Sequence, residues 1–331
     1  MFTVRVPATS ANIGPCFDTA GLALTLYNEI EVFTKKDLEN NPRPLIDLNC
    51  QIDERIRANQ EIPDDERNLI WETIKLFCEK MGKPVPFFSI RQTDTIPLTR
   101  GLGSSAACVV AGLMIANELT KSGISKDDLI NMSVEIEGHP DNVAPAFLGG
   151  MVVGATDGSR FEHVRIDVSD ELEFFAVIPD FPLSTADARA VLPRAYTKEQ
   201  AVFNCSRVAL LVSAMMSGNF GALSVAMQDE IHQPYRKILI PGMETIIHKS
   251  VEFGAYGAYL RCSCRNLVGT LFLASRCDRR NSLPDSRYPR LPFDLFRFIL
   301  GICSGSCFLS AYNGIRWRSL PSLRGTAGRQ T

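Results

Sequence analysis

Pro97-Leu98-Thr99-Arg100-Gly101-Leu102-Gly103-Ser104-Ser105-Ala106-Ala107 is the stretch that decides how the rest of this chain is read. Two glycines separated by one residue let the backbone turn tightly and approach a ligand closely. The stretch follows a strand-like run, Pro86 to Arg91, and opens an apolar helix expected over Ser104 to Thr120. Ser104 or Ser105 is expected to cap that helix and leave its first N–H groups pointing outward. Those donors and the helix dipole suit an anion, and the hydroxyls suit a phosphate oxygen or Mg²⁺. The stretch is not a Walker loop, because the Gly-Lys-Ser/Thr ending is missing, and it lacks the third glycine of a dinucleotide fingerprint. Taken alone, it supports a phosphate site and a plain Gly-rich turn before a core helix equally.

Outward from this loop, strands are expected at Val4 to Val6, Glu29 to Phe33, Gly149 to Ala155 and Phe174 to Ile178. Helical spacing of apolar residues marks Asn68 to Met81, Lys126 to Glu137, Glu199 to Met216 and Phe220 to Met227. Lys35 to Asn68 is polar and reads as a loop with a short helix. The elements mix without a regular βαβ beat, so the fold class is α+β.

Composition adds an asymmetry. The 331 residues carry 35 basic and 37 acidic side chains, a net charge of -2 that argues against a nucleic-acid binder. From Phe253 onward, however, there are 12 Arg and 3 Asp with no Lys or Glu, a net +9. Residues 1–252 hold the other 23 basic and 34 acidic residues, a net -11. The N-terminus lacks a signal-peptide layout. The uncharged run Phe298 to Ile315 is interrupted by Gly, Ser and Asn, so no membrane span is expected. The 10 cysteines contain no Cys-x-x-Cys pair, and free thiols without a metal are the expected reading.

Three motifs together carry a resemblance. Pro97 to Ala107 resembles the nucleotide loop of the GHMP kinases. Val6-Pro7-Ala8-Thr9-Ser10-Ala11-Asn12-Ile13-Gly14-Pro15-Cys16-Phe17-Asp18 and Glu137-Gly138-His139-Pro140-Asp141-Asn142-Val143-Ala144-Pro145-Ala146 resemble the first and middle motifs of the homoserine kinase branch. The match runs from about residue 3 to about residue 260. It implies a GHMP kinase fold: an N-terminal ATP-binding domain like ribosomal protein S5 domain 2 (1–160) and a ferredoxin-like C-terminal half (161–260), here incomplete. It also implies a cytoplasmic, often dimeric enzyme of threonine biosynthesis that phosphorylates the hydroxyl of L-homoserine with ATP and Mg²⁺.

The resemblance assigns roles residue by residue. Pro97, Leu98, Thr99, Arg100, Gly101, Leu102, Gly103, Ser104, Ser105, Ala106 and Ala107 would hold ATP. Ser105 and Glu137 would hold Mg²⁺, although spacing does not separate Glu137 from Glu135. Asn12, Asp18, His139, Asp141, Thr185, Arg189 and Arg236 would form the homoserine pocket. The two arginines suit the substrate carboxylate, because guanidinium pairs with carboxylate bidentately. Asn142 would lie near the transferring phosphoryl group. Asp18 is the candidate base by type, with catalysis by transition-state stabilisation alone as the alternative. Against these stand bland readings: turn formation for Asn12 and Asp18, a polar turn around Pro140 for His139, Asp141 and Asn142, a solvated helix end for Glu137, and surface charge for each arginine.

Two departures from the family pattern stand out. Cys16 occupies a position where the family has Gly, which predicts backbone strain if the position needs φ > 0. After Gly254-Ala255-Tyr256-Gly257-Ala258-Tyr259-Leu260, the family's Ser-Gly-x-Gly-Pro-Thr loop is replaced by Arg261-Cys262-Ser263-Cys264-Arg265-Asn266. Loss of that loop predicts exposed strand edges and impaired activity. The tail 261–331 reads either as out-of-frame or mis-spliced coding sequence or as a new extension. The functional alternatives are a non-catalytic GHMP-fold regulator and a GHMP kinase for another small alcohol.

Overall fold

The computed structural model describes residues 1–39, 41–52, 61–98, 101–158, 160–177, 185–240, 242–252, 254–262 and 268–275. Thr99, Arg100 and most of the tail therefore lie outside the described residues, as do Cys264, Cys277, Cys303, Cys307 and the run Phe298 to Ile315.

The architecture is α+β. A six-stranded sheet is built on a long central strand, β2 (Ala20–Thr34), which pairs antiparallel with β1 (Phe2–Ala11), β4 (Phe88–Asp94) and β5 (Met151–Thr156). β3 (Ile46–Cys50) adds parallel to β4, and β6 (Phe161–Ile166) adds antiparallel to β5. β1 registers Phe2 against Val32 and Pro7 against Tyr27, then shifts between Pro7 and Thr9. The irregularity lets β1 change course toward the site without abandoning the ladder.

Among the described residues, five helices accompany this sheet: α1 (Lys35–Leu38), α2 (Leu69–Lys80), α3 (Ser104–Thr120), α4 (Lys126–Glu137) and α5 (Pro140–Leu148). Helix α2 starts where Asn68 accepts a hydrogen bond from the Ile70 N–H, and α4 where Ser125 accepts one from Asp128. Helix α3 buries residues on every side, so it sits between layers and shows no amphipathic stripe. A Cβ at Gly112 would lie 2.6 Å from the Thr73 Cβ and 2.9 Å from the Ile70 carbonyl oxygen, so glycine is what lets α2 and α3 approach.

The second part of the chain contains β7 (Leu172–Val177), α6 (Thr185–Ala190), α7 (Lys198–Ser217), α8 (Leu223–Ala226), α9 (Gln233–Arg236), α10 (Met243–Glu252), β8 (Gly257–Cys262) and β9 (Val268–Ser275). The three strands form one antiparallel sheet with β9 in the middle, paired to both β7 and β8. Residue 260, the expected boundary, falls inside β8, which pairs with residues 268–275 of β9. One continuous hydrophobic core reaches from Val4 through α3 and α5 to Leu211, Leu223 and Tyr259, tying the two parts together.

Helices α3 and α4 have the expected ends, strands β1 and β2 are longer than expected, and β7 starts two residues before Phe174, with Ile178 outside the described residues. Strand β3 lies inside the stretch expected to be a loop. Its five residues, Ile46 to Cys50, show only partial alternation, and its place is set by pairing with β4. Phe220 to Met227 splits into a 3₁₀ turn, Phe220–Ala222, and α8. No helix among the described residues is long and apolar enough to cross a membrane.

Candidate active site

The loop that opened the sequence reading leads into α3 with Gly103, not a serine, at the N-cap. Gly103 has left-handed backbone (φ 68°) and makes no side-chain cap bond. The expected Ser104 or Ser105 cap is thereby corrected. Both serines lie inside the first turn, where a side chain points away from the N–H groups that a cap must reach. Ser105 instead donates from Oγ to Glu137 Oε1 at 2.6 Å. Glu137 is the last residue of α4, before Gly138 turns left-handed (φ 85°). Glu135 points elsewhere and forms an ion pair with Lys80 on the surface. Tertiary structure thus separates the two glutamates that spacing left equivalent. Pro97 and Leu98 lead into the loop, and Leu102, Ala106 and Ala107 are buried beneath it.

Gly103 also marks the junction of two motifs. A Cβ built there would lie 2.0 Å from Thr9 Oγ1 and 3.2 Å from Asn142 Oδ1. The glycine is required both for its φ and for that contact. Thr9 donates from Oγ1 to Asn142 Oδ1 at 2.9 Å, and its N–H donates to the Leu102 carbonyl at 3.0 Å. The Gly-Ser loop, β1 and the start of α5 therefore meet at one point.

One expectation for Asp141 and Asn142 is a polar turn around Pro140. They are instead the second and third residues of α5, which starts at Pro140 behind the N-cap position of His139. Pro at the first helical position is preorganised and gives up no useful N–H. Asn142 donates from Nδ2 to Asp141 Oδ1 at 3.2 Å. The other oxygen of Asp141, Oδ2, is buried and has no hydrogen-bond partner among the described residues. Burial, with the negative charge of Asp18 as the next contribution, pushes the Asp141 carboxyl up to about 7. Burial also pulls the His139 imidazole below its ordinary value.

The turn after β1 bends sharply. Asn12, Gly14 and Asp18 all have left-handed backbone (φ 57°, 55° and 54°), a conformation that Asn and Asp tolerate better than most side chains. Asn12 Oδ1 accepts from the Asp18 N–H at 2.8 Å, so the two candidate residues brace each other. Cys16 is not among the left-handed residues, and its side chain is fully buried. The strain anticipated for a side chain at this position is absent. Burial pushes its thiol up to about 12, which makes it a packing group and not a nucleophile.

Arg189, on α6, reaches the same turn and donates from Nη2 to both oxygens of Asp18 at 3.0 and 2.9 Å. Arg236 is buried, donating from Nε to the Ala188 carbonyl at 2.9 Å and facing His232 Nδ1 at 3.2 Å. Both guanidinium groups lie over the Phe17 ring, at 5.4 Å for Arg189 and 4.9 Å for Arg236. Facing an aromatic ring stabilises such cations while keeping water off them. Thr185 belongs to α6, as does Arg189, but its side chain lies outside the described residues.

Several contributors lie outside the expected set. Phe17 faces both guanidinium groups. Asp229 organises the Arg236 segment, accepting from the N–H groups of Ile231, His232 and Gln233, while His232 Nε2 lies 2.7 Å from the Gly14 carbonyl. Tyr259 on β8 hydrogen bonds Ser10 at 3.0 Å, anchoring the small sheet to the first motif. An Asp two to four residues before a helix start is a legible turn signal for the Asp229 role. Nothing local marks Phe17 or Tyr259.

Comparison with known proteins identifies the family. The GHMP kinases N terminal domain family matches residues 68–150. Homoserine kinase from Clostridium kluyveri is 44% identical over 269 residues, spanning 81% of this chain and 85% of the relative. Homoserine kinase from Petrotoga mobilis is 40% identical over 271 residues, 82% of this chain and 85% of the relative. Among solved structures, homoserine kinase from Cytophaga hutchinsonii superposes with a TM-score of 0.66 at 27% identity, covering 82% of this chain and 85% of that one. The L. major mevalonate kinase complex with R-mevalonate has a TM-score of 0.61 at 13% identity, covering 97% and 96%, which shows a shared fold.

Proposed function

The chain belongs to the homoserine kinase family, and we propose that it transfers the γ-phosphoryl group of ATP to the side-chain hydroxyl of L-homoserine, giving O-phospho-L-homoserine. The observation that carries this is the junction at Gly103. There the Gly-Ser loop and the first turn of α5, with Asp141 and Asn142, share an edge through Thr9. A phosphate held by the loop and an amino acid held beside Asp141 would meet at Asn142.

Phosphoryl transfer asks the protein for positioning and charge neutralisation more than for covalent chemistry. The first-turn N–H groups of α3 and the loop around Gly101 and Gly103 would hold the ATP phosphates. Ser105 Oγ and the Glu137 carboxylate are two oxygen donors 2.6 Å apart, a donor set that suits a hard cation completed by phosphate oxygens and water. Mg²⁺ held there would neutralise charge on the phosphates. Glu137 sits at a helix C-terminus, where the dipole favours a cation, and a metal ion supplies one.

Homoserine is a zwitterion, and the pocket carries charges of both signs. Asp18 and Arg189 neutralise each other in the free protein. A bound zwitterion would insert between these partners, its carboxylate toward Arg189 and Arg236 and its ammonium toward Asp18 and the open Oδ2 of Asp141. An added ion pair in a pocket lined by Phe17 is worth more than in water. Mevalonate brings no cation and galactose no charge at all, so either would leave Asp141 unpartnered, the costly outcome for a buried carboxyl. Asn12 braces Asp18, which would orient the hydroxyl for in-line attack, and Asn142 lies on the path of the transferring group.

An ADP-release assay against homoserine, mevalonate and galactose, with calorimetric binding in parallel, tests this reading. Turnover with homoserine alone supports it. Binding without turnover would assign the chain to a non-catalytic role, and turnover with another alcohol would replace the substrate. An Asp18→Asn variant with near-normal turnover would remove Asp18 as a base and leave orientation as its role.

A further inference from the structure

A buried polar cluster lies away from the substrate pocket, at the other end of the Gly-Ser loop. Asn28 on β2 and Gln92 and Asp94 on β4 are each no more than 2% exposed. Asp94 Oδ1 accepts from Asn28 Nδ2 at 2.6 Å, and both Asp94 oxygens accept from Gln92 Nε2 at 3.0 and 2.9 Å. Asn68, at the N-cap of α2, donates to Gln92 Oε1 at 2.9 Å. The Asn28 side-chain oxygen, Oδ1, faces the other way and accepts from the N–H groups of both Thr95 (2.9 Å) and Ile96 (3.0 Å).

We propose that Asn28 and Asp94 form a positioning pair that fixes where the Gly-Ser loop leaves the sheet, and thereby sets the affinity for ATP. The argument starts from backbone satisfaction. Strand β4 ends at Asp94, so the next two N–H groups lose their ladder partners just before Pro97, where the loop begins. Buried donors must be met, and the Asn28 amide meets both. An amide can rotate by 180° and present its NH₂ instead, which would repel those donors. Asp94 removes that freedom, because an ionised carboxylate only accepts and therefore holds the Asn28 NH₂ on its own side. Burial raises the Asp94 carboxyl to about 6, which still leaves it ionised at pH 7.5. The far end of the loop is pinned by Thr9, through the Leu102 carbonyl and the fit against Gly103. The loop is therefore clamped at both ends, by β2 and by β1. Displacing a phosphate cradle by an ångström is enough to weaken a bound nucleotide.

This inference rests on the reading that the loop holds the ATP phosphates. It is tested on the full chain with three variants, Asn28→Ala, Asp94→Asn and the swap Asn28→Asp with Asp94→Asn. In the swap, the carboxylate at 28 accepts from Thr95, Ile96 and the new amide at 94, while that amide's oxygen still accepts from Gln92. Calorimetric titration with Mg·ATP, and separately with homoserine, reads the outcome. Loss of the two bonds in Asn28→Ala is expected to weaken ATP about tenfold. Asp94→Asn is expected to weaken it severalfold, and the swap to recover most of the loss, with homoserine binding within twofold of wild type throughout. ATP affinity unchanged in folded Asn28→Ala, a parallel loss for homoserine, or a swap no better than Asp94→Asn would overturn the positioning role. Should Asn28→Ala not fold, the comparison of Asp94→Asn with the swap decides alone. Wild type that binds no ATP overturns the loop reading itself, a distinct result.

Discussion

Replacing Asp141 by Asn should stabilise the free protein, and increasingly so as pH rises. Asp141 is fully buried and one of its oxygens has no partner, so the folded state holds its proton more tightly than the unfolded chain does. The carboxyl moves from an ordinary 3.8 to about 7. For a carboxyl whose folded value is raised, the ionised form destabilises the fold. The penalty starts near pH 3.8, grows as pH rises, and levels off above about 7. Three units correspond to about 4 kcal/mol at pH 8, and the same values leave roughly 2 kcal/mol at pH 5. Asn keeps the oxygen that accepts from Asn142 Nδ2 and carries no charge. The stability gap between Asp141→Asn and wild type should therefore widen by about 2 to 3 kcal/mol between pH 5 and pH 8. Urea unfolding of both proteins at the two pH values measures it, with equal m-values as the check that the unfolded states match. A gap that does not change with pH, or one that narrows, would refute the assignment of a buried, unpaired carboxyl. The same variant should lose homoserine binding, so stability and function would move in opposite directions.

The remaining predictions concern the reacting groups. In the proposed role an ionised Asp141 faces the substrate ammonium, so kcat/KM for homoserine should rise through pH 7 and flatten above it; a flat profile from pH 6 to 8 would remove Asp141 from binding. Gly103→Ala adds a Cβ 2.0 Å from Thr9 Oγ1 in left-handed backbone, and should lower unfolding stability by at least about 2 kcal/mol and weaken ATP binding. Glu137→Gln should cut kcat roughly a hundredfold, whereas Glu135→Gln, which breaks only a surface ion pair with Lys80, should stay close to wild type. Arg189→Met should raise KM for homoserine while leaving KM for ATP near normal, since it pairs with Asp18 and lies over the Phe17 ring.

Much of the site was legible because its motifs are local. The Gly-x-Gly-Ser-Ser run announces a turn into a helix, and Ser104 to Thr120 has both ends where its apolar content puts them. Which residue caps the helix was not legible, since Gly103 wins through a contact with Thr9, 94 positions earlier in the chain. The choice between Glu135 and Glu137 was also invisible. Two carboxylates two residues apart on a helix differ only in what each face meets, and here the faces meet Lys80 and Ser105. Strand β3 escaped because five weakly alternating residues become a strand only when β4 lies alongside.

The sequence by itself determined the family and the kinase chemistry and offered the candidates for the proposed site, because phosphate loops and charged pockets need particular side chains at short, fixed spacings. Only the tertiary structure decided how those groups work together. It brings Asn142 to Gly103, pairs Arg189 with Asp18 across 171 residues, leaves one oxygen of Asp141 open, and clamps the loop from Asn28. Such features depend on which surfaces are pressed together and dried, and that is a property of the packed chain and not of any one segment of it.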